Sequence, residues 1–559
     1  MGVVFVFLML VIMGRLWQKQ ILEHKQYLAM AKSQQIYSKE EMAERGKILV
    51  HDDLETQGSY IEVALDVQKY SVAVVPKNVV DKIGTAKKLA ENLGISQDEI
   101  FGKINNDKLY IPPIAKSLDS GVADKITALN LTGVVVLPEF NRMYPENQLL
   151  SQTLGFVSGE GEGKYGVENY YNSELTGYNG KKTAEKDIYG RMIDVVSDSA
   201  PKNGDSIYLT IDRSVQYYVE KTLEKAMTEY QVDSGSIIVV EPKTGRIIAL
   251  TNKPDFNPNE YNKVAADKLG LFMNMAVSGA WEPGSIMKPI TMALAIDQGK
   301  VTPETTGDYS NMVVVDGHEI HTATDKAFGH ETMTQVLENS DNVAMVDVSN
   351  KLGNQAMYDN LKKFGLLDKS GIDISGESTG SAPKAKDWRN INRANISFGQ
   401  GITITPIQIL MAYAALANGG KLVTPQIVDK IIQSDGSTTS FQTKAVTQVV
   451  QPETAAKIKD MLVSVVVNGH GKKAAVPGFK VAGKTGTAQV AKPDGSGYQE
   501  NVFNGSFIGF APADDPKFVM IVRLDNPKTV KFAESSATPV FGQIASYLLN
   551  YYYKVPATP

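Results

Sequence analysis

Three short polar motifs, far apart along this 559-residue chain, constrain its fold more than any other feature. The first is Ser285-Ile286-Met287-Lys288, which opens an apolar helical run after the turn signal Glu282-Pro283-Gly284. Residues three apart share a helix face, so the Lys288 amine can reach the Ser285 hydroxyl. Partial burial and the positive end of the helix dipole both favour a neutral lysine. A neutral lysine can take the serine proton, which makes serine a nucleophile without a histidine.

The other two motifs supply the groups that the first one lacks. Ser340-Asp341-Asn342 offers a hydroxyl that can relay a proton and an amide that can hold a substrate amide. Lys484-Thr485-Gly486-Thr487 lies in residues 479–490, a predicted strand whose small residues let a substrate backbone lie along its edge. Lys484 attracts a carboxylate. The chemistry therefore requires a fold that brings a helix start, a loop and a strand edge to one cleft.

Two of the three motif types also occur where they have no such context. The S-x-x-K pattern recurs at Ser199 to Lys202 and at Ser381 to Lys384, with a proline inside each copy. A second K-T-G, residues 243–245, lies between two apolar runs and is typical of a hairpin turn. We therefore expect only the copies at 285–288 and 484–486 to be functional.

The order S-x-x-K, S-x-N, K-T-G is that of penicillin-binding proteins and class A β-lactamases. The chain resembles class B penicillin-binding proteins from about residue 45 to about residue 550. The segments that carry the resemblance are Trp281–Ser285, Ser397–Gly401, Lys484–Gln489, Arg45–Ile48, Arg142–Pro145, Gly166–Glu168 and Leu175–Gly177. One departure is that Leu49–Asp53 replaces the Asp-Arg-x-Gly turn that usually follows Arg45–Ile48 in the family.

This resemblance implies a membrane-anchored D,D-transpeptidase that cross-links peptidoglycan, with the division-specific type favoured. Ser285 is then the nucleophile toward a D-Ala-D-Ala stem peptide, and Lys288 is its base. The remaining implied roles are proton relay by Ser340, peptide binding by Asn342, carboxylate attraction by Lys484, substrate binding by Thr485, Gly486 and Thr487, and an oxyanion hole of the Ser285 and Thr487 backbone N–H groups. An amine of a second stem peptide accepts the acyl group, and β-lactams act as inhibitors.

The resemblance also implies partners: a SEDS-type glycosyltransferase, other division proteins and the membrane. No cofactor or metal is expected. His318 and His321 form H-x-x-H, but the apolar run 313–315 followed by Asp316-Gly317 favours a hairpin over a metal site.

Other functions remain open at this stage. A β-lactam sensor or a catalytically silent division scaffold would keep the fold without the reaction, and a D,D-carboxypeptidase would use water as acceptor. A β-lactamase needs a deacylating water, which in class A enzymes depends on a glutamate in an E-x-x-x-N setting. Between Asn342 and Lys484 the glutamates are Glu377 and Glu453, and neither has that setting.

Composition narrows the class of protein further. The net charge of −5 and the pI of about 5.9 give no basic footprint for nucleic acid. The absence of cysteine excludes a disulfide framework and thiolate metal sites. The first 17 residues are mostly apolar, which indicates a membrane anchor or a signal peptide. The basic Arg15, Lys19 and Lys25 follow the apolar run, so we expect the true N-terminus to lie upstream.

The whole chain is predicted to be an α+β protein in four segments. Residues 1–17 are a transmembrane anchor, 18–44 a juxtamembrane helix that is either solvated or partner-binding, 45–204 a mixed α/β pedestal, and 205–556 the transpeptidase domain. In this last domain, strands at both ends form one antiparallel sheet flanked by helices, with an all-helical subdomain between. Ser285 and Ser340 are expected on the helical side and Lys484 on the sheet edge. The expected location is the cytoplasmic membrane, single-pass, with the catalytic domain outside the cytoplasm.

Overall fold

The structure is a computed structural model that describes residues 2–27, 36–52, 59–186, 192–443, 446–492, 494 and 497–557. The chain forms two compact units. The first comprises Met1–Gly46, Asp66–Asn141 and Thr176–Asp205, and the second comprises Lys47–Leu65, Arg142–Leu175 and Ser206–Pro559. Two stretches of the predicted pedestal, 47–65 and 142–175, thus pack within the second unit. The four-segment division of the chain stays a prediction.

The strands, numbered along the chain, range from two residues to the 15 of β3. They are β1 (Ile36–Glu41), β2 (Ile48–His51), β3 (Tyr60–Val74), β4 (Ala115–Leu118), β5 (Val134–Met143), β6 (Phe156–Val157), β7 (Gly163–Lys164), β8 (Gly180–Lys186), β9 (Met192–Ser199), β10 (Ser206–Asp212), β11 (Ser234–Val240), β12 (Ile247–Lys253), β13 (Thr306–Tyr309), β14 (Met312–Val315), β15 (His318–His321), β16 (Gly329–Thr332), β17 (Lys421–Leu422), β18 (Val428–Ile432), β19 (Thr438–Ser440), β20 (Thr447–Gln448), β21 (Ala482–Ala491), β22 (Tyr498–Ala511) and β23 (Phe518–Asp525).

The α-helices are distributed along the described parts of the chain. They are α1 (Gly2–Trp17), α2 (Lys82–Leu93), α3 (Gln97–Ile104), α4 (Ser120–Ala128), α5 (Ser151–Leu154), α6 (Gly166–Tyr170), α7 (Asn172–Leu175), α8 (Arg213–Tyr230), α9 (Met275–Ser278), α10 (Lys288–Asp297), α11 (Met333–Asn339), α12 (Asn342–Leu352), α13 (Asn354–Lys363), α14 (Asn390–Ser397), α15 (Pro406–Ala417), α16 (Pro452–Val467) and α17 (Ala537–Tyr547).

The N-terminal segment is a helix long and apolar enough to cross a membrane. Helix α1 continues as a π-helix over Gln18–Leu22, so the helical run is 21 residues long and none of it is buried. At 1.5 Å per residue this run covers about 30 Å, the thickness of a bilayer core.

Farther on, β1 pairs antiparallel with β8, so residues 36–41 differ from the helix predicted over 18–44. Ile36 and Tyr37 are strand-favouring residue types, and a partner strand outweighs the helical spacing of this segment. Residues 28–35 of that prediction lie outside the described residues.

The first unit contains a small core beneath a three-helix layer. The second half of β3 pairs with β4 and with β5, and helices α2 to α4 pack their apolar faces against these strands. Side chains cap the N-termini of α2 and α3: Asp81 accepts from Gly84 N, and Ser96 accepts from Glu99 N. A separate three-stranded sheet has the order β1-β8-β9.

The second unit is organised around a five-stranded antiparallel sheet of order β12-β11-β23-β22-β21. Alternate residues of β11 point to opposite faces: Ile237 and Val239 share a core with α8 and α17, whereas Ile238 and Val240 lie on the face covered by α9 and α15. Both faces are therefore covered by helices. The sheet predicted from strands at the two ends of this region is confirmed, and Asp212 caps α8 by accepting from Ser214 N and Val215 N. A second sheet of this unit runs β19-β18-β10-β2 and into the first half of β3.

Helices of the region between β12 and β21 are interspersed with strand pairs, two of which precede α11. β13 pairs with β16 and β14 pairs with β15, so this region is less purely helical than predicted. Asp316 and Gly317 join β14 to β15 with φ of 50° and 83°. Two consecutive positive φ values match the twist of a two-residue hairpin, which confirms the hairpin predicted there.

Candidate active site

The Ser285 hydroxyl stands at the start of α10, in a 3-10 turn over Gly284–Met287. Gly284 has φ of +60° and donates from its N to Gly399 O at 3.0 Å. A Cβ at Gly399 would lie 2.2 Å from Gly284 O, so these two glycines permit a close approach that a larger residue blocks. Ser285 is half-buried and lines a cavity, while Lys288 one turn on is fully buried.

Lys288 reaches a different serine from the one that its spacing predicts. Its Nζ donates to Ser340 O at 2.5 Å and to Ser340 Oγ at 3.1 Å, and it makes no hydrogen bond to Ser285 within the described residues. Burial lowers the pKa of Lys288 well below its ordinary value, and the positive charge of Lys484 lowers it further. Asp341 and Glu331 act in the opposite direction. The net result is an amine that is neutral far more readily than a lysine in water.

Ser340 lies between the two lysines. It terminates α11 in the left-handed conformation, with φ of 58° and ψ of 42°, and its Oγ also accepts from Lys484 Nζ at 3.0 Å. Because both lysine Nζ atoms converge on one hydroxyl, Ser340 can pass a proton from one nitrogen toward a leaving group. The next residue, Asp341, caps α12 by accepting from Val343 N and Ala344 N.

Lys484 lies on β21, the edge strand of the five-stranded sheet, as the sequence predicts. It is fully buried, and its Nζ also donates to Thr485 O at 3.2 Å. Burial lowers the pKa of Lys484 to about 7. Two residues on, Gly486 lies against the serine turn, where an added Cβ would meet Ile286 at 3.0 Å. A glycine is therefore what lets the edge strand approach the turn that carries Ser285.

An open cavity of about 1090 Å³ collects most of the predicted site residues. Ser285, Ser340, Asn342, Thr485 and Thr487 line it, and Lys288 and Lys484 lie buried beneath. Asn342 Nδ2 donates to His321 O at 2.9 Å, and Thr487 Oγ1 accepts from Ala533 N at 3.1 Å. The structure thus brings together residues that are distant in the sequence.

Sequence reasoning missed several groups around this cavity. Tyr413, fully buried on α15, donates its hydroxyl to Ile286 O at 2.7 Å and so supports the nucleophile's turn. Glu331 is buried behind Ser340, and no periodicity of its strand marks it. Asp341 was visible inside the second motif, and its position directly before a helical run was the available signal for a helix cap.

His318 and His321 line the same cavity, whereas the duplicate motifs do not. His321 interacts with Glu319 and Asp325, whose hydrogen bonds raise its pKa. No cluster suited to a metal occurs among the residues that the structure describes. The second K-T-G lies on the turn from β11 to β12, where Gly245 N donates to Glu241 O. Ser199 and Ser381 do not line the cavity.

Comparison with known proteins agrees with this geometry. Residues 235–546 match the family model described as the penicillin binding protein transpeptidase domain, and residues 40–209 match the penicillin-binding protein dimerisation domain. The fold, with three motifs around one cavity, defines a serine acyltransferase of the penicillin-recognising type. The chain belongs to the penicillin-binding proteins, with the class B combination of a dimerisation and a transpeptidase domain.

Similar proteins include two curated relatives and a solved structure. Stage V sporulation protein D of Bacillus subtilis is 35% identical over 509 residues, covering 90% of this chain and 77% of the relative. Peptidoglycan D,D-transpeptidase FtsI of Escherichia coli K12 is 30% identical, covering 87% of this chain and 81% of the relative. Penicillin-binding protein 3 of Mycobacterium tuberculosis, complexed with aztreonam, matches with a TM-score of 0.72 and 26% identity, covering 93% and 98% of the two chains.

Proposed function

We propose that this chain is a membrane-anchored serine D,D-transpeptidase that cross-links peptidoglycan stem peptides during cell division. The observation that carries the proposal is the convergence of Lys288 and Lys484 on Ser340, directly beneath the cavity that Ser285 lines. Two buried amines with lowered pKa values give this site a base and a proton relay at neutral pH.

In the acylation step, Ser285 Oγ attacks the carbonyl of the terminal D-Ala-D-Ala peptide bond. Neutral Lys288 takes the hydroxyl proton, directly or through Ser340, and the backbone N–H groups of Ser285 and Thr487 bind the developing oxyanion. Removing one such donor typically costs about 3–4 kcal/mol of transition-state stabilisation. Ser340 then delivers a proton to the leaving D-alanine amine, so the peptide C–N bond breaks as the ester forms.

Substrate binding is assigned to the cavity wall. Asn342 holds the stem peptide, while Lys484 with Thr485, Gly486 and Thr487 binds its terminal carboxylate. The small residues of β21 leave its edge open for a peptide backbone, the position that an added strand takes. An amine of a neighbouring stem peptide then attacks the ester and restores the free Ser285 hydroxyl.

The division role is supported by the names of the relatives, a sporulation protein and an FtsI-type transpeptidase. For the same reason we propose a SEDS-type glycosyltransferase and other division proteins as partners, and β-lactams as inhibitors. The helix Gly2–Leu22 is proposed as a single span, with the catalytic unit on the extracytoplasmic side.

A β-lactamase is disfavoured by the position of the carboxylates. Glu377 accepts hydrogen bonds from Ser370 and lies away from the cavity, and Glu453 lies in the first turn of α16. Neither is placed to activate a water at the Ser285 ester.

The direct test is mass-spectrometric mapping of the chain after reaction with a labelled penicillin. We expect one modified residue, Ser285. Ser285→Ala should abolish labelling with the fold intact, whereas Ser199→Ala and Ser381→Ala, which change the serines of the two duplicate motifs, should leave it unchanged. Labelling at another position, or undiminished labelling of Ser285→Ala, would refute the assignment.

A second experiment measures cross-linking of lipid-linked peptidoglycan by the full chain. Cross-linked product separates a transpeptidase from a sensor or a silent scaffold. Trimmed stem peptides without cross-links would indicate a carboxypeptidase.

A further inference from the structure

Behind Ser340 lies a pair of buried carboxyl groups that the reaction above does not use. Glu331, on β16, is 2% exposed, and Asp341, between α11 and α12, is 0% exposed. Carboxylates are almost never fully buried unless they are paired. Both carboxyl groups therefore require partners inside the protein.

Each carboxyl group has one oxygen with donors and one without. Asp341 Oδ1 accepts from Val343 N at 2.7 Å and from Ala344 N at 3.2 Å. One Glu331 oxygen, Oε1, accepts from Asn339 Nδ2 at 2.6 Å. The remaining oxygens, Glu331 Oε2 and Asp341 Oδ2, are buried and have no donor among the described residues.

The two carboxyl groups lie within hydrogen-bonding reach of each other. Ionised carboxylates only accept hydrogen bonds, so two of them in contact repel and leave both oxygens unsatisfied. A single proton between Glu331 Oε2 and Asp341 Oδ2 removes the repulsion and satisfies both atoms. Burial raises the pKa of Glu331, and Asp341 raises it further, in agreement with a retained proton.

The charged or titratable groups that interact with the pair are Lys288 of α10, Glu338 of α11 and Tyr309 of β13. Lys484 of β21 acts on Lys288, and Asp347 of α12 acts on Tyr309. Glu338 is hydrogen-bonded to Ser464, and Asp347 to Tyr309 and Lys351, so each has its own partner. Lys288 is the cation that the pair influences directly. A doubly charged pair would favour the ammonium form of Lys288, whereas a singly charged pair leaves the neutral base accessible.

The pair also holds the chain on both sides of Ser340. Glu331 binds the side chain of Asn339, and Asp341 caps α12, so the residues before and after Ser340 are fixed. Ser340 itself keeps a left-handed backbone. This conformation costs a non-glycine residue free energy, so it persists only where the surrounding structure imposes it.

We propose that Glu331 and Asp341 share one proton and act as a singly charged positioning pair, which holds Ser340 between the two lysines and keeps Lys288 available as a base. This inference rests on the proposed transpeptidase function for its kinetic consequence, but the shared proton is independent of it.

The test uses the full chain and two nearly isosteric variants, Glu331→Gln and Asp341→Asn. In each variant the new amide can donate to the remaining carboxylate, so the pair keeps one negative charge at every pH. Infrared difference spectra should show a protonated-carboxyl band in the unchanged chain that is absent from both variants. Spectra identical for the unchanged chain and the variants would overturn the shared proton.

The second readout is the rate at which a fluorescent penicillin acylates Ser285 as a function of pH. In the unchanged chain the rate should fall on the alkaline side as the pair loses its proton. In Glu331→Gln, which has no such proton to lose, the alkaline fall should disappear or begin at least about one pH unit higher, a tenfold difference in the proton equilibrium. Glu331→Leu, which leaves Asp341 Oδ2 unpartnered, should acylate about tenfold more slowly or worse at every pH.

The matched control is Glu220→Gln, which changes another buried carboxyl of the same unit. Glu220 binds Leu150 N and Gln216, away from Ser340, so its variant should keep the original pH profile. An unshifted profile in Glu331→Gln, with labelling of Ser285 intact, overturns the positioning role and leaves the proposed function standing. If penicillin labels no serine at all, the proposed function fails, and the infrared comparison still decides whether the proton is shared.

Discussion

Replacing Lys484 by methionine should stabilise the folded chain, and the size of the effect should depend on pH. The lysine is fully buried, and its pKa is about 7 against 10.5 for an ordinary lysine. Between these two values the unfolded chain binds more protons than the folded chain, so the free energy of unfolding rises with pH across the window. Below pH 7 the folded state bears the full cost of burying the ammonium group.

The magnitude follows from integrating that difference in bound protons. Between pH 6 and pH 9 the cost of burying Lys484 decreases by about 2–3 kcal/mol. Lys484→Met removes this cost, so its gain in stability should be larger at pH 6 than at pH 9 by the same amount. The variant also loses the hydrogen bonds from Lys484 to Ser340 and Thr485. This loss is nearly the same at both pH values, so it cancels when the two stability changes are subtracted. Because Lys484 also lowers the pKa of Lys288, its removal relieves a second buried amine in the same direction.

Urea unfolding in detergent, followed by tryptophan fluorescence, measures the effect, because Trp281 and Trp388 are buried in the unit that holds the site. The control is Lys480→Met, a change to an exposed lysine that pairs with Asp514 on the surface. Its effect should be small and equal at the two pH values. If the effect of Lys484→Met were also independent of pH, the argument that burial sets the pKa of this lysine would be refuted. The variant should lose penicillin acylation in either case.

Three further substitutions test the nucleophile's surroundings. Lys288→Ala should slow acylation by a fluorescent penicillin about 10²–10⁴-fold in stopped-flow measurements, and a near-normal rate would remove its role as base. Gly399→Ala should lower the free energy of unfolding by about 1–3 kcal/mol or more and slow acylation, since its Cβ meets Gly284 O at 2.2 Å; an unchanged rate would show that the serine turn tolerates the shift. Tyr413→Phe should cost about 1 kcal/mol in the same unfolding assay, because the Ile286 carbonyl loses a buried donor; a stabilising effect would contradict this.

Much of the second unit could be predicted because its signals are local. The strands of the sheet are short apolar runs bounded by turns, and Asp316-Gly317 determines its hairpin through backbone conformation alone. The position of Lys484 on an edge strand followed from the same patterns. The helix expected at residues 36–41 was wrong there because the partner strand β8 begins at residue 180, and no local pattern registers that pairing.

The contacts that set the chemistry were harder to foresee. Spacing along a helix predicts that Lys288 meets Ser285, yet the amine turns to Ser340, on a loop 52 residues farther along the chain. The pairing of Glu331 with Asp341 likewise joins a strand to a helix cap. Such contacts depend on how elements pack, which periodicity within a single element does not contain. The motifs therefore predicted which residues belong to the site, whereas the contacts between those residues became clear only from the three-dimensional structure.

The pairing of β11 with β23 has a consequence for how this protein reaches its native state. Gly235 lies opposite Leu524 in that ladder, so the central strands come from opposite ends of the region. Non-local pairings of this kind slow folding, because closing a long loop costs entropy before the strand contacts can stabilise the chain. While the ribosome is still making the last strands, β11 lacks one of its two neighbours and exposes an apolar edge. Newly made chains should accordingly depend on chaperones until synthesis is nearly complete.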